Sequence, residues 1–420
     1  MAKVYLIICF AFTLTANCFK SGTATEVTST QAGAVDVAAD TESGQGFPLG
    51  LSPAPAAKNP EDYLWLLQGK RLGLVVNQTS TVGTSHLVDT LLALGQEVQI
   101  IFAPEHGFRG DADAGATIAD GTDVRTGLPI KSLYGSNKKP SEEDLENVDL
   151  IVFDIQDVGA RFYTYISTLH YVMESAARYG KPVVILDRPN PNGHYVDGPI
   201  RQPGYESFVG LDPIPVVHGL TVGEYGKMVN GEGWLGEGLL CDLTVVPCRD
   251  YTHDSAYDLP VPPSPNLPNQ RSIYLYPSLC FFEGTALSVG RGTDKQFQIY
   301  GHPQLEAPYT FTPRPGPGAA DPKLNGQLCR GYDLTDRPAD AYRVDSLNLR
   351  PLLTAYTELS QRGENVITRP DFFDLLAGTD QLRNMIEAGA SETEIRESWA
   401  TDLKTYRTMR ERYLLYPSDR

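Results

Sequence analysis

"VDLIVFDIQD" (148–157), "YTYISTLHYVMESAARYG" (163–180) and "KPVVILDRPNPNG" (181–193) follow one another almost without interruption. The first run is nearly all apolar, as a strand covered on both faces must be. The second carries apolar residues at helical spacing and closes on Gly180, a common helix stop. The third is a short apolar run that ends in a Pro/Asn/Gly loop. Strand, helix and strand in this order make a right-handed βαβ unit, which implies a parallel sheet with helices on both faces. The same alternation precedes it: "LGLVVNQ" (72–78) predicts a strand, "HLVDTLLALG" (86–95) a helix, and "EVQIIFAPE" (97–105) a strand. The fold class expected is therefore α/β.

In open parallel sheets, ligands bind beyond the carboxyl ends of the strands. Four of these strands end in polar residues: Asn77-Gln78, Glu105-His106, Asp154 with Asp157, and Asp187-Arg188. They are expected to meet in one crevice. No GxGxxG follows the first strand, which argues against a dinucleotide site.

The chain has 420 residues, enough for two domains, and a net charge of −17, which argues against a nucleic-acid partner but leaves room for a local basic pocket. Lys3 followed by "VYLIICFAFTL" reads as an export signal too short to span a bilayer comfortably. It ends either in ordinary cleavage or at Cys18 as a lipidated first residue, although Asn17 stands where a small residue is usual. The chain is thus expected in the periplasm, on a membrane as a lipoprotein, or outside the cell. Residues 19–58 are poor in large apolar side chains and read as a flexible tether. Four further cysteines (Cys241, Cys248, Cys280, Cys329) lack the spacing of a zinc site and read as buried thiols, or as a Cys241–Cys248 bridge between neighbouring strands. "DLPVPPSPNLPNQ" (258–270) is too rich in proline for a helix or a central strand. It marks a boundary near residue 268 or a stiff segment lining a cleft, with a smaller α+β domain over 269–420.

Glu105 is the first candidate for chemistry. A carboxyl at a strand end, screened by Phe102 and Phe108, is expected to have its pKa raised, as a general acid requires; the bland alternative is a surface pair with Arg109. His106 beside it reads as an orienting group. Asp154 and Asp157 fall on opposite faces of their strand, and Asp157 is equally suited to capping. Arg161 suits an anionic group of a substrate. Glu224 reads as the capping-box partner of Thr221. Glu283, Arg291 and Asp294, set among glycines, are placed to face the first domain across a cleft. His106, Asp154 and Asp187 are possible metal-ligand types, but no HExxH or comparable spacing supports a metal, and no cofactor is expected.

"FAPEHGFRGD", "GLPIKSLYG", "VDLIVFDIQDVGARFYTYISTLHYVMESAA", "ILDRPNPNG", "PIPVVHGLTVGEY", "VPPSPNLPN" and "YPSLCFFEGTALSVGRGTDKQFQIYGHP" occur together and in order. From about Leu72 to the C-terminus the chain closely resembles the bacterial exo-β-N-acetylmuramidase family of the NamZ type, formerly a domain of unknown function. Departures are small: "NQTS" stands where the family more often reads Asn-x-Thr-Gly, and Val289 stands where an acidic residue is frequent. The resemblance implies a Rossmann-like catalytic domain (59–268), a smaller C-terminal domain and an active-site cleft between them. It implies release of N-acetylmuramic acid from the non-reducing end of peptidoglycan fragments, with Glu105 as the catalytic glutamate. A glycosidase needs a second group, either another carboxyl or the substrate's own 2-acetamido oxygen oriented by one. Asp154, Asp157 and Glu283 are the candidates. Asn77 is a candidate for sugar contact, and Arg109, Arg161 and above all Arg291 for the lactyl carboxylate. Another amino-sugar exo-glycosidase, or a non-catalytic wall-binding protein, would share the same fold.

Overall fold

A seven-stranded sheet forms where the apolar runs predict it. The computed structural model describes residues 52–108 and 120–418. The export segment, Cys18, most of the tether and Arg109 lie outside the described residues. The sheet strands are β1 (Arg71–Val76), β2 (Glu97–Ala103), β3 (Gly121–Thr122), β4 (Pro129–Ser132), β5 (Leu150–Asp154), β6 (Val183–Leu186) and β7 (Leu243–Val246). Their order is β7-β6-β5-β1-β2-β4-β3. All pairs are parallel except β3 with β4. The chain begins in the middle at β1, builds one half through β2 and β4, then crosses β1 to build the other half. The switch point therefore lies between β1 and β5.

Alternation along the strands feeds two separate cores. Ile151, Phe153, Val183 and Ile185 face the side covered by α2 (Tyr165–Arg178) and α3 (Val222–Gly231). Leu150, Val152, Val184 and Leu186 face the side covered by α1 (Leu87–Ala93). The second side also takes up Ala56, Ala57, Tyr63 and Leu67. The segment read as tether thus gives way to packed structure before Lys58: Ala56 and Ala57 are fully buried, and the Ala54 N–H donates to Arg249 O at 2.9 Å.

The C-terminal part carries α4 (Gln270–Leu279), a small antiparallel sheet of β8 (Ile299–His302), β9 (Tyr309–Phe311) and β10 (Cys329–Asp333), and then α5 (Arg350–Gln361), α6 (Pro370–Ala377), α7 (Gln381–Glu387) and α8 (Glu392–Arg410). Leu275, Phe281, Phe373 and Leu403 from this part join the core under α2 and α3. The four cysteines are buried thiols. Cys241 and Cys248 flank the single strand β7, which holds them more than ~10 Å apart. That distance rules out the bridge between neighbouring strands.

Candidate active site

Most of the polar strand ends do not open onto a crevice. Asn77 caps its own turn, with its Oδ1 accepting from the Thr79 N–H at 2.9 Å and from the Thr79 hydroxyl at 2.6 Å. The Ser80 hydroxyl donates to Asp154 O, and the Gln156 N–H donates to Thr79 Oγ1 at 3.0 Å. Asp154 is fully buried and takes two bonds from the Arg188 guanidinium, at 2.5 and 2.9 Å. The switch point is thereby filled by the protein's own polar groups. Asp187 is equally enclosed: it accepts from the Thr221 hydroxyl (2.7 Å), the Gly223 N–H (2.8 Å) and the Tyr416 hydroxyl (2.6 Å), tying the C-terminal tail to β6. Arg161 is 1% exposed and donates to the carbonyls of Pro199, Ile214 and Leu376, so its guanidinium braces backbone and meets no ligand. Asn77, Asp154, Asp157 and Arg161, all expected at the site, are absent from the cleft wall.

Asp157, a catalytic candidate equally suited to capping, neither reaches the cleft nor caps α2, whose N-cap is Thr164. It accepts from the Gly159 N–H at 2.7 Å, its other oxygen is buried without a partner, and His218 Nε2 stands 4.0 Å away. Burial pushes its carboxyl up to about 7 and the His218 imidazole down to about 3. The folded state therefore favours protonated Asp157. Its contribution to stability is complete below the unfolded pKa near ~4 and is lost as pH rises through the folded value. Asp157→Asn keeps the neutral shape. Its unfolding free energy in urea, relative to the parent, should rise between pH 4 and pH 7; a difference that stays flat with pH would contradict this assignment.

The open cleft, about 1060 Å³ in volume, lies beyond β2 and the N-terminus of α2 and is closed on its far side by the C-terminal part. Glu105 and His106 line it. The Gly107 N–H returns to Pro104 O at 3.0 Å, and His106 has φ 71°, the third position of a tight turn that favours glycine. This strained turn carries the chain from β2 directly into the cleft. Glu105 is half-buried. It accepts from the Thr164 hydroxyl at 2.8 Å and is hydrogen-bonded to the Tyr134 hydroxyl, whose own ionisation is pushed up by burial and by the carboxylate. Thr164 precedes α2, and Tyr134 follows β4.

Across from Glu105, the segment after α4 contributes Glu283 and Arg291 to the cleft wall; Asp294 stays out of the cleft. Arg291 Nε donates to Glu283 Oε1 at 2.7 Å, and the guanidinium lies 5.2 Å from the Phe297 ring centroid. Lys323 is mostly buried beneath the same turn and donates to the carbonyls of Phe282 (2.9 Å) and Thr285. Burial lowers the Lys323 ammonium to about 8. Burial also acts to raise the Glu283 carboxyl, but Arg291, Lys323 and Arg369 together hold it below the ordinary carboxylate range. Arg369 is exposed at the cleft wall, 4.3 Å from the Phe372 ring centroid. The proline-dense segment lines the cleft through Ser264 and Asn266, and Gln78 and Tyr165 fasten it by donating to Pro263 O at 3.0 Å each.

Sequence alone singles out neither Thr164 nor Tyr134, although both lie in the long motifs. Lys323 and Arg369 lie outside those motifs and carry no local signal. Glu224 forms its capping box with Thr221 and is buried against His253 at 3.0 Å. Among the described residues, no group of three or more His, Cys, Asp or Glu is placed to hold a metal ion; His106, Asp154 and Asp187 sit in three separate surroundings.

Two family models match in tandem: exo-β-N-acetylmuramidase NamZ, N-terminal, over residues 72–271, and its C-terminal counterpart over 274–416. The peptidoglycan β-N-acetylmuramidase NamZ of Bacillus subtilis (strain 168) is 39% identical over 374 residues, covering 84% of this chain and 89% of that protein. A DUF1343 family protein from Bacteroides fragilis NCTC 9343 superposes with a TM-score of 0.81 at 46% identity, over 88% of this chain and 100% of the other. A second DUF1343 protein from the same strain gives 0.76 at 27% identity, over 87% and 99%. The chain belongs to the exo-β-N-acetylmuramidase NamZ family.

Proposed function

We infer that this chain is an exo-acting glycosidase that releases N-acetylmuramic acid from the non-reducing end of peptidoglycan fragments, with Glu105 as its proton donor. The observation that carries the assignment is the pairing of two cleft carboxyls in unlike surroundings. Glu283 is kept ionised by cations. A group held ionised cannot donate the proton, and Asp321, the third carboxyl on the cleft wall, is exposed to water, which leaves that role to the half-buried Glu105. Thr164 and Tyr134 fix its carboxyl, and the strained turn projects it to where a glycosidic oxygen would lie. His106 orients the turn. The apolar N-terminal segment supports export to the compartment where the wall lies.

The lactyl carboxylate that distinguishes N-acetylmuramic acid from N-acetylglucosamine needs a cation in a protein of net charge −17. Arg291, the first expectation, has its Nε committed to Glu283. Arg369 on the same wall is exposed, and its guanidinium has no hydrogen bond among the described residues. We assign the lactyl contact to it. A charge-assisted hydrogen bond is worth about 1.5–3 kcal/mol, and an exposed one lies at the low end, so Arg369→Ala should raise KM for N-acetylmuramic acid glycosides about tenfold. The N-acetylglucosamine glycoside should be little affected.

Parallel assays of the parent on chromogenic β-glycosides of the two sugars test the function itself. Strong preference for N-acetylmuramic acid is expected. Equal turnover would indicate a general amino-sugar glycosidase, and no turnover a binding protein.

A further inference from the structure

We propose that Glu283 accepts a hydrogen bond from the N–H of the substrate's 2-acetamido group and turns the acetamido oxygen onto the anomeric carbon, so that the sugar supplies its own nucleophile. This rests on the exo-glycosidase function with Glu105 as acid. Of the three carboxyls the sequence offers as partner to Glu105, only Glu283 reaches the cleft. Asp154 is spent on Arg188, and Asp157 is enclosed beside His218.

The surroundings of Glu283 suit orientation better than direct attack. It sits in the short 3-10 turn Cys280–Gly284, whose residues Cys280, Phe281 and Phe282 are buried. Gly284 lets the turn press against α6: a Cβ there would lie 2.7 Å from Phe373 Cβ. Lys323 ties down the carbonyls on the inner side. The carboxylate is therefore fixed on a rigid support. One oxygen, Oε1, is occupied by Arg291, which also drains charge from it and makes it a poor nucleophile. Oε2 has no hydrogen bond among the described residues, and the side chain keeps 21% exposure on the cleft side. A fixed, ionised oxygen with one vacant acceptor position matches an amide N–H.

The electrons balance without another reagent. The acetamido oxygen bonds to the anomeric carbon as the glycosidic C–O bond breaks. Its electron pair leaves with the departing oxygen, which takes the Glu105 proton. The N–H of the resulting oxazolinium ion stays hydrogen-bonded to Glu283. Water then attacks the anomeric carbon and gives a proton to the Glu105 carboxylate, and the ring C–O bond breaks to restore the acetamide. Two displacements at one carbon leave the configuration unchanged.

Two measurements decide it. On the parent enzyme, proton NMR should show the β-anomer as the first product, and kcat/KM should fall with each fluorine placed on the N-acetyl methyl, because fluorine weakens the attacking oxygen. Glu283→Gln should lower kcat about 10²–10³-fold with KM little changed, which a merely structural loss would not do selectively. First appearance of the α-anomer, indifference to fluorine, or a covalent sugar ester on Glu283 would overturn the proposal while leaving the glycosidase function standing. A parent that hydrolyses no N-acetylmuramic acid glycoside overturns both.

Discussion

Glu105→Gln should fold as the parent does and lose about 10²–10⁴-fold in kcat on a natural disaccharide. Glutamine keeps the size of the side chain and can still accept from the Thr164 hydroxyl that fixes Glu105 at 2.8 Å. What it lacks is a transferable proton. The loss should therefore depend on the leaving group. A sugar alkoxide needs protonation as it departs, whereas an acidic phenol leaves without help, so the variant should keep much more of its kcat/KM, which reports the first step, on aryl glycosides of acidic phenols. KM should move little, since the carboxyl acts in the transition state rather than in binding. Thermal unfolding measured alongside should show a near-parental midpoint, because Glu105 is half-buried and lies outside the two cores. Near-parental turnover on both substrate types, in a folded variant, would remove Glu105 from the chemistry.

Asp154→Ala should do the reverse: it should cost stability and leave the chemistry intact. The Asp154–Arg188 pair is sealed in the switch point, with side-chain exposures of 0% and 2%. Removing the carboxylate strands a guanidinium in the interior. Breaking a buried pair from one side typically costs about 3–5 kcal/mol, through the uncompensated charge rather than the lost contact. The fall should appear in urea unfolding, and kcat of the folded fraction at low temperature should change by less than about tenfold. Replacing both partners by apolar residues of similar volume should recover much of the loss. A stable Asp154→Ala protein with a hundredfold lower kcat would instead restore Asp154 to the active site.

The difference between those two residues explains what sequence can and cannot tell. Strands β1, β2, β5 and β6 are legible because burial on both faces demands continuous apolar runs, and α2 because its apolar stripe is long and ends at a glycine. The capping box of Thr221 and Glu224 is legible because its partners are three residues apart. Strands β3, β4 and β7 are two to four residues long, and "GT" and "PIKS" carry no periodicity. Polar strand ends are ambiguous for a physical reason. A carboxylate at the end of a buried strand must be neutralised by something, and the neutralising group for Asp154 comes from 34 residues away. The same holds for Arg161, whose three carbonyl partners come from three distant segments. Glu105 is distinguished by the residues around it: a His-Gly turn with positive φ at both positions, which projects it clear of the strand network. The cationic wall formed by Arg291, Lys323 and Arg369 assembles only in three dimensions.

The most direct measurement of the central claim is product analysis by mass spectrometry after incubating the purified chain with two isomeric disaccharides, N-acetylmuramyl-β-1,4-N-acetylglucosamine and N-acetylglucosaminyl-β-1,4-N-acetylmuramic acid. The cleft chemistry described here predicts that the first is split into free N-acetylmuramic acid and N-acetylglucosamine, and that the second is left whole. Cleavage of the second with the first intact, or cleavage of neither, would contradict it.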